Sequence, residues 1–474
     1  MIRSLKRILL TFLIGMHITP IAAAQEKPPH FTGDWRGELT VGSQKIPILF
    51  HISPGTGDTL KATMDSPRQG VTDLPVSDLS IQGARLKMTI TVASAYFEGH
   101  LIEGMLSGHW VQAGQKFPLI LERYTKDPAP APQAGPLPLP YDETEVFFKN
   151  TTTSNRLAGT LSIPKISALK KAVVLITGSG PQDRDQSFMG HKTFKVLADH
   201  LARNGIIVLR VDDRGVGKSE GEFYKATSLD FASDTSAAVA FLKEKSDLPI
   251  QSIGLIGHSE GGLIAPLVAN SNEDVSFVVM LAGPGLKGDE IAVEQVRRFL
   301  RYSGVSEKSA DKGSRMTAAL NHTVLTHDDR ATLSDALKKS YQSTWASFNS
   351  DTQKTLTRLG GGSLSAGRLQ QLMLPWTKYF LGYDPQETLN KLTIPVLALH
   401  GSKDTQMRSS ENLKAIKLAL SKNVHSMSVI KEIEGVNHLF QTADTGLMNE
   451  YASIKETMAP RVLELIVQWI NQTP

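Results

Sequence analysis

The chain of 474 residues contains no cysteine. Disulfides, thiolate metal sites and a lipid-modified cysteine are therefore excluded. Neither sign of charge dominates: 51 Lys and Arg against 47 Asp and Glu leave a formal net charge of +4. The basic residues are scattered, and without a concentrated basic face no nucleic-acid partner is expected. Beyond residue 24 no apolar run is long enough to span a hydrocarbon core of ~30 Å. What is present is ordinary globular material. Hydrophobic residues make up 41% and charged residues 21%, enough for a large core, and the length suits two domains.

The first 24 residues have a different character. Arg3, Lys6 and Arg7 precede an apolar stretch from Ile8 to Ile21, and Ala22-Ala23-Ala24 offers a small-residue cleavage pattern before Gln25. This is the layout of a secretory signal peptide. The short run, with His17 and Pro20 inside it, argues against a membrane anchor. An exported chain without cysteine suits a bacterial periplasm or the medium outside, with no membrane span once the signal is removed. A homo-oligomer is left open.

Residues 126–140 read KDPAPAPQAGPLPLP. Prolines at nearly alternate positions fix φ, remove donors and favour an extended spacer, so an interdomain linker is expected. Before it, residues 30–124 alternate with period two: Ile46, Ile48, Phe50 and Ile52, then Leu86, Met88 and Ile90, then Phe117, Leu119 and Leu121. That pattern predicts a small all-β domain, an antiparallel sandwich or barrel. Trp35 and Trp110 there are either core residues or part of a ligand face. No chemistry is visible in this module.

After the linker, apolar strands alternate with longer helical stretches, the pattern of a mostly parallel sheet with helices on both faces. Strands are expected at residues 172–176, 206–211, 252–256, 275–281 and 394–400, and helices at 193–204, 230–245 and 461–470. Between Gly285 and Leu389 strands cease and helix-like runs such as 293–302 and 332–348 appear. A helical cap over the sheet, about residues 286–389, is expected.

The central motif is Gly257-His258-Ser259-Glu260-Gly261. In a nucleophile elbow the serine sits on a strained strand-to-helix turn, where glycines two before and two after remove colliding side chains. Gly217-Lys218-Ser219-Glu220-Gly221 has the same form. Only Ser259, however, follows an uninterrupted apolar strand and precedes an apolar helix. Two nucleotide readings fail on spacing: Asp212 and Asp183 stand where a phosphate loop and a dinucleotide fingerprint need glycine.

A serine hydroxyl needs a base to take its proton, and that base needs a carboxylate to fix its tautomer. In elbow hydrolases the chain order is Ser, then Asp or Glu, then His. Asp404 follows the strand 394–400 in His400-Gly401-Ser402-Lys403-Asp404, and His438 follows the apolar segment 427–433 in Gly435-Val436-Asn437-His438. Both belong at the carboxyl edge of the sheet, where ligands gather in open α/β folds. His258 competes with His438 as the base, but its place in the elbow directs it inward; His400 reads as structural. Backbone N–H groups should stabilise an oxyanion: Glu260, and from Thr177-Gly178-Ser179-Gly180 either Ser179 or Gly180.

Six motifs in order carry a family resemblance: ITGSGPQDRD (176–185), VDDRGVGKS (211–219), GHSEGG (257–262), PWTKYFLGYDP (375–385), PVLALHGSKD (395–404) and GVNHLF (435–440). Over about residues 141–474 the chain resembles bacterial carboxylesterases of the α/β-hydrolase family, relatives of dienelactone hydrolases and of serine peptidases of the prolyl-oligopeptidase clan. The resemblance implies the α/β-hydrolase fold, Ser259 as nucleophile, Asp404 as acid, His438 as base and hydrolysis of short-acyl esters, with no metal or cofactor. It also implies that Arg214 with Asp212 or Asp213, and Asp183 with Arg184 and Asp185, form structural charge networks. Met407 departs from the β-branched residue expected after Gln406. A peptidase or aminopeptidase of the same fold remains the alternative, although residues 30–124 are too few for a propeller. A binding protein without chemistry would show a degenerate triad, and this one is complete. Trp376 and Phe380 are either pocket walls or cap core.

Overall fold

The computed structural model describes residues 31–473 except 42–43, 56–58, 67–70, 113, 125–132, 134, 136, 166–170, 360 and 422–424. The expected signal peptide and most of the expected linker lie outside the described residues.

Among the described residues, nine antiparallel strands form the N-terminal module: β1 (Gly33–Val41), β2 (Gln44–Pro54), β3 (Leu60–Ser66), β4 (Val71–Pro75), β5 (Asp78–Gln82), β6 (Arg85–Ile90), β7 (Ala95–Ile102), β8 (Met105–Gln112) and β9 (Gln115–Arg123). Their order is β4-β3-β2-β1-β9-β8-β7-β6-β5, so the first and last strands pair and the seam falls between β4 and β5. The segment crossing that seam bonds to both sides, Val76 N–H to Ala62 O and Ser77 N–H to Thr89 O. Alternate residues point into one core, which includes Phe50, Met88, Phe97 and Leu119. Trp35 and Trp110 are buried in it, which settles them as core.

The second sheet has the order β10-β11-β15-β12-β16-β17-β18-β19. Its strands are β10 (Tyr141–Lys149), β11 (Arg156–Pro164), β12 (Lys171–Ile176), β15 (Ile207–Val211), β16 (Ser252–His258), β17 (Val275–Leu281), β18 (Val396–Gly401) and β19 (Val429–Ile433); β13 (Ser187–Phe188) and β14 (His191–Lys192) make a short separate hairpin. The pair β10–β11 and its junction with β15 are antiparallel; from β15 onward every neighbour is parallel. The expected strands appear within about two residues, whereas the antiparallel β10–β11 hairpin at the edge was not anticipated.

The central parallel strands β12, β16 and β17 are buried on both faces because helices cover both. On one face Val173 and Leu175 pack against α1 (Thr193–Arg203) and α13 (Pro460–Gln472). On the other, Ala172, Val174 and Ile176 share one core with α2 (Ser228–Lys243), α3 (Gly261–Ala269) and α11 (Ser409–Leu420). Helix α2 starts at a capping box in which Thr227 and Asp230 exchange side-chain and backbone bonds. Where a cap is expected, at residues 286–389, the described residues form seven helices: α4 (Gly288–Tyr302), α5 (Glu307–Thr326), α6 (Arg330–Ala346), α7 (Ser350–Arg358), α8 (Ala366–Leu372), α9 (Pro375–Gly382) and α10 (Pro385–Leu389). A short α12 (Met448–Tyr451) precedes α13. No helix among the described residues is long and apolar enough to cross a membrane.

Candidate active site

Ser259 occupies the turn between β16 and α3 with φ +54°. This left-handed backbone is costly for a residue with a Cβ, and it occurs here where the elbow motif requires it. Close backbone approach explains the flanking glycines. A Cβ on Gly257 would lie 1.9 Å from the Gly261 carbonyl oxygen, and one on Gly261 would lie 2.2 Å from that of Ile176. By contrast Ser219 is buried, its Oγ donating to Asp212 O at 2.7 Å and accepting from Ala158 N–H at 2.9 Å. The second G-x-S-x-G is a structural turn.

Asp404 stands in the loop after β18 and His438 in the loop after β19, both buried. His438 Nδ1 lies 2.7 Å from Asp404 Oδ2, while Oδ1 accepts the N–H groups of Gln406 and Met407, each at 2.8 Å. Burial opposes ionisation of Asp404, but His438 and these backbone donors outweigh it and hold the carboxyl below its usual range. Met407 contributes through its main chain and is itself buried, so the unexpected residue type leaves the acid loop intact.

His258 lies beside His438, ring centroids 4.8 Å apart. Its Nε2 is 2.9 Å from the His438 carbonyl oxygen and its Nδ1 is 2.7 Å from Gln186 Nε2. A neutral ring with the proton on Nε2 satisfies both bonds, donating to the carbonyl and accepting from the amide. Burial, reinforced by His438, pushes its pKa down to about 3, consistent with that neutral form. The residue next to Ser259 is thus a strut holding the His438 backbone to the elbow. This is how the structure brings 258, 259, 404 and 438 to one edge. His400 is buried and its Nε2 donates to Gly283 O at 2.8 Å, a structural role as expected.

The loop after β12 packs against the serine: a Cβ on Gly178 would lie 3.2 Å from Ser259 Cβ. Asp213 holds this loop, accepting from Thr177 Oγ1 at 2.6 Å and from Gln182 N–H at 2.9 Å. Burial pushes the Asp213 carboxyl up to about 8 against the pull of those two donors, with Glu260 and Asp234 adding to the rise. Gly180 takes φ +92° at the bend. Glu260 immediately precedes α3 and its carboxylate is buried, accepting from Ser228 Oγ at 2.6 Å and from Trp376 Nε1 at 2.7 Å.

The charge network differs from its expected pairing. Asp212 pairs with Arg184 (2.6 Å), whereas Arg214 pairs with Asp234 (2.6 Å) and Asp230 (3.3 Å) on α2. Asp212 is bound by Arg184 and Asp213 by Thr177 and Gln182, while Arg214 is held by the carboxylates of α2. Trp376 stacks on Phe380 at 4.9 Å, and Phe380 belongs to the buried core. Sequence reasoning missed Gln186 and the side chain of Glu260, and it placed Asp213 in a charge network with Arg214 rather than on the loop beside the serine. Asp213 and Glu260 both lay within motifs, but Glu260 drew attention for its backbone alone.

A mostly parallel sheet with a strained serine after an interior strand, and an imidazole and carboxylate from two later loops, defines an α/β-hydrolase fold. The profile of the serine aminopeptidase S33 family matches residues 190–440, and the chain belongs to that family. It is 25% identical over 342 residues to esterase EstD of Thermotoga maritima, covering 70% of this chain and 69% of that one. Among solved structures, a Pyrococcus furiosus esterase is similar at 14% identity and TM-score 0.42, covering 74% of this chain and 98% of its own. A dienelactone hydrolase from Anabaena variabilis is similar at 14% identity and TM-score 0.38, with coverages of 70% and 99%.

Proposed function

We propose that this protein is a secreted serine hydrolase of carboxylic esters, with Ser259 as nucleophile, His438 as general base and Asp404 as the acid that orients it. The observation that carries this reading is the 2.7 Å Asp404–His438 pair joined, through His258, to the strained turn bearing Ser259. The carboxylate fixes the imidazole with its proton on Nδ1, leaving Nε2 free to accept the serine proton. Ser259 Oγ attacks the ester carbonyl, His438 passes the proton to the departing alcohol, and water releases the acyl group by the same steps in reverse roles. Backbone N–H groups of Glu260 and of Ser179 or Gly180 stabilise the oxyanion, each worth about 3 kcal/mol of barrier.

Cleavage of an aminoacyl amide is the second reading, favoured by the family's description as serine aminopeptidases. An exopeptidase needs a carboxylate for the free amine. Glu260, the carboxylate beside the nucleophile, is already engaged by Ser228 and Trp376. The esterase relative also favours esters. Secretion rests on the signal-like residues 1–24.

A panel of p-nitrophenyl acyl esters against aminoacyl p-nitroanilides, run on the wild type and Ser259→Ala, tests the reading. Short-acyl esters should turn over faster than the anilides, and the variant should lose roughly 10⁵–10⁶-fold in kcat. Preference for the anilides would overturn the substrate class, and undiminished turnover by the variant would overturn the site.

A further inference from the structure

Glu260 carries a carboxylate one residue beyond Ser259, and that side chain has no part in the mechanism above. The residue is only 2% exposed. Burial raises its carboxyl above the ordinary range, against the hydroxyl of Ser228, the indole of Trp376 and the hydroxyl of Ser179, which all favour the charged form. Two donors converge on one oxygen: Ser228 from the start of α2 at 2.6 Å, and Trp376 from α9 of the helical insertion at 2.7 Å. Asp213, Arg214 and Asp234 share with it the lining of a cavity of about 50 Å³, and Tyr379 of α9 also senses its charge. Placing a carboxylate among two others in so small a space is unfavourable by desolvation and repulsion. Its partners are nevertheless distinctive, because one is the insertion and another is the residue expected to complete the oxyanion site.

Resting on the serine-hydrolase reading, we propose that the Glu260 carboxylate is a positioning group through which the helical insertion, by the Trp376 N–H, aligns the backbone donors at residues 260 and 179. The carboxylate belongs to the same residue as one donor, and the loop that carries the other packs against the elbow, where a Cβ on Gly178 would lie 3.2 Å from Ser259 Cβ. Seating of α9 is thereby coupled to the geometry that meets the developing oxyanion. Because those donors act most strongly in the transition state, displacing them lowers kcat and leaves KM nearly unchanged.

Trp376→Phe is the cleanest test. It keeps a six-membered ring to stack on Phe380 and removes the indole N–H together with part of the ring's volume. With p-nitrophenyl acetate, kcat should fall about tenfold at nearly constant KM, the scale of a small misplacement at the reacting centre. Glu260→Gln, whose amide oxygen still accepts both bonds, should retain more of kcat than Glu260→Leu. Glu260→Leu should fall as far as Trp376→Phe, and combining the two should add little, because both break one link. Should Glu260→Leu fail to fold, Trp376→Phe and Glu260→Gln still decide the matter. An unchanged kcat in Trp376→Phe, a change confined to KM, or losses that multiply in the double variant would overturn the proposal. Labelling by a fluorophosphonate separates the two readings. A wild type that does not label at Ser259 removes the serine-hydrolase reading, whereas a labelled enzyme indifferent to Trp376→Phe removes only this one.

Discussion

Asp213 and Asp404 stand at the same edge of the sheet and are held in opposite states. Asp404 is buried with His438 and backbone N–H groups, and its carboxyl lies below the usual range. It therefore contributes stability that is present above the unfolded value and is lost as pH falls through the depressed native one. Asp213 is buried with two neutral donors and with carboxylates nearby, and its carboxyl rises to about 8. Between the unfolded value near 3.8 and about 8, the native state keeps a proton that the unfolded state has released. Stability then falls as pH rises across that window. Asp213→Asn, neutral at every pH, should remove this slope, so that its Tm relative to wild type climbs from pH 5 to pH 8. Parallel thermal melts of both proteins give the answer, and a constant difference would mean that Asp213 is ionised throughout. Gln186 was not legible in the sequence as part of the site, and Asp213 was legible only as a charged partner for Arg214. Each acts through a contact with a distant segment, Asp213 with Gln182 and Gln186 with His258, and local pattern carries no trace of such pairing.

At the scale of elements, the elbow is the feature that sequence described best. Its strand, its glycines and its apolar helix all lie within residues 252–269, and chain sterics alone demand small residues where β16 turns into α3. Adding one methyl group to Gly257 forces a contact of 1.9 Å with the Gly261 carbonyl. Gly257→Ala should cost about 3 kcal/mol or more of stability, the upper range for overpacking, and should abolish turnover. Urea denaturation checks the first and ester hydrolysis the second; a wild-type midpoint would remove the steric argument. The edge hairpin β10–β11 was the hardest element to see. In β10 only Tyr141 and Phe148 are buried, while Phe147 is exposed, so neither a continuous apolar run nor a clean alternation marks it. The parallel strands were easy by comparison, because burial on both faces writes long apolar runs such as Ala172 to Ile176.

In the whole molecule, the apolar interior is divided. Among the described residues, the cluster that fills the N-terminal module draws only on residues 31–121, and the two clusters flanking the second sheet begin at residue 148. Separate cores imply separate cooperative units. Scanning calorimetry should resolve two unfolding transitions, and Ser259→Ala, which touches one unit only, should leave the lower-mass transition in place. A single two-state endotherm for the full chain would show the modules to be coupled. The sequence by itself determined the class of the second sheet and the elbow turn at Ser259, and it singled out Asp404 and His438 as candidates, because each depends on local periodicity, turn sterics or chain order. Tertiary structure alone decided that His258 braces His438, that Asp213 anchors the loop beside the serine, and that a tryptophan 116 residues away bonds to Glu260. Those relations are set by which surfaces meet when the sheet, its covering helices and the insertion pack together, and one-dimensional order does not encode such encounters.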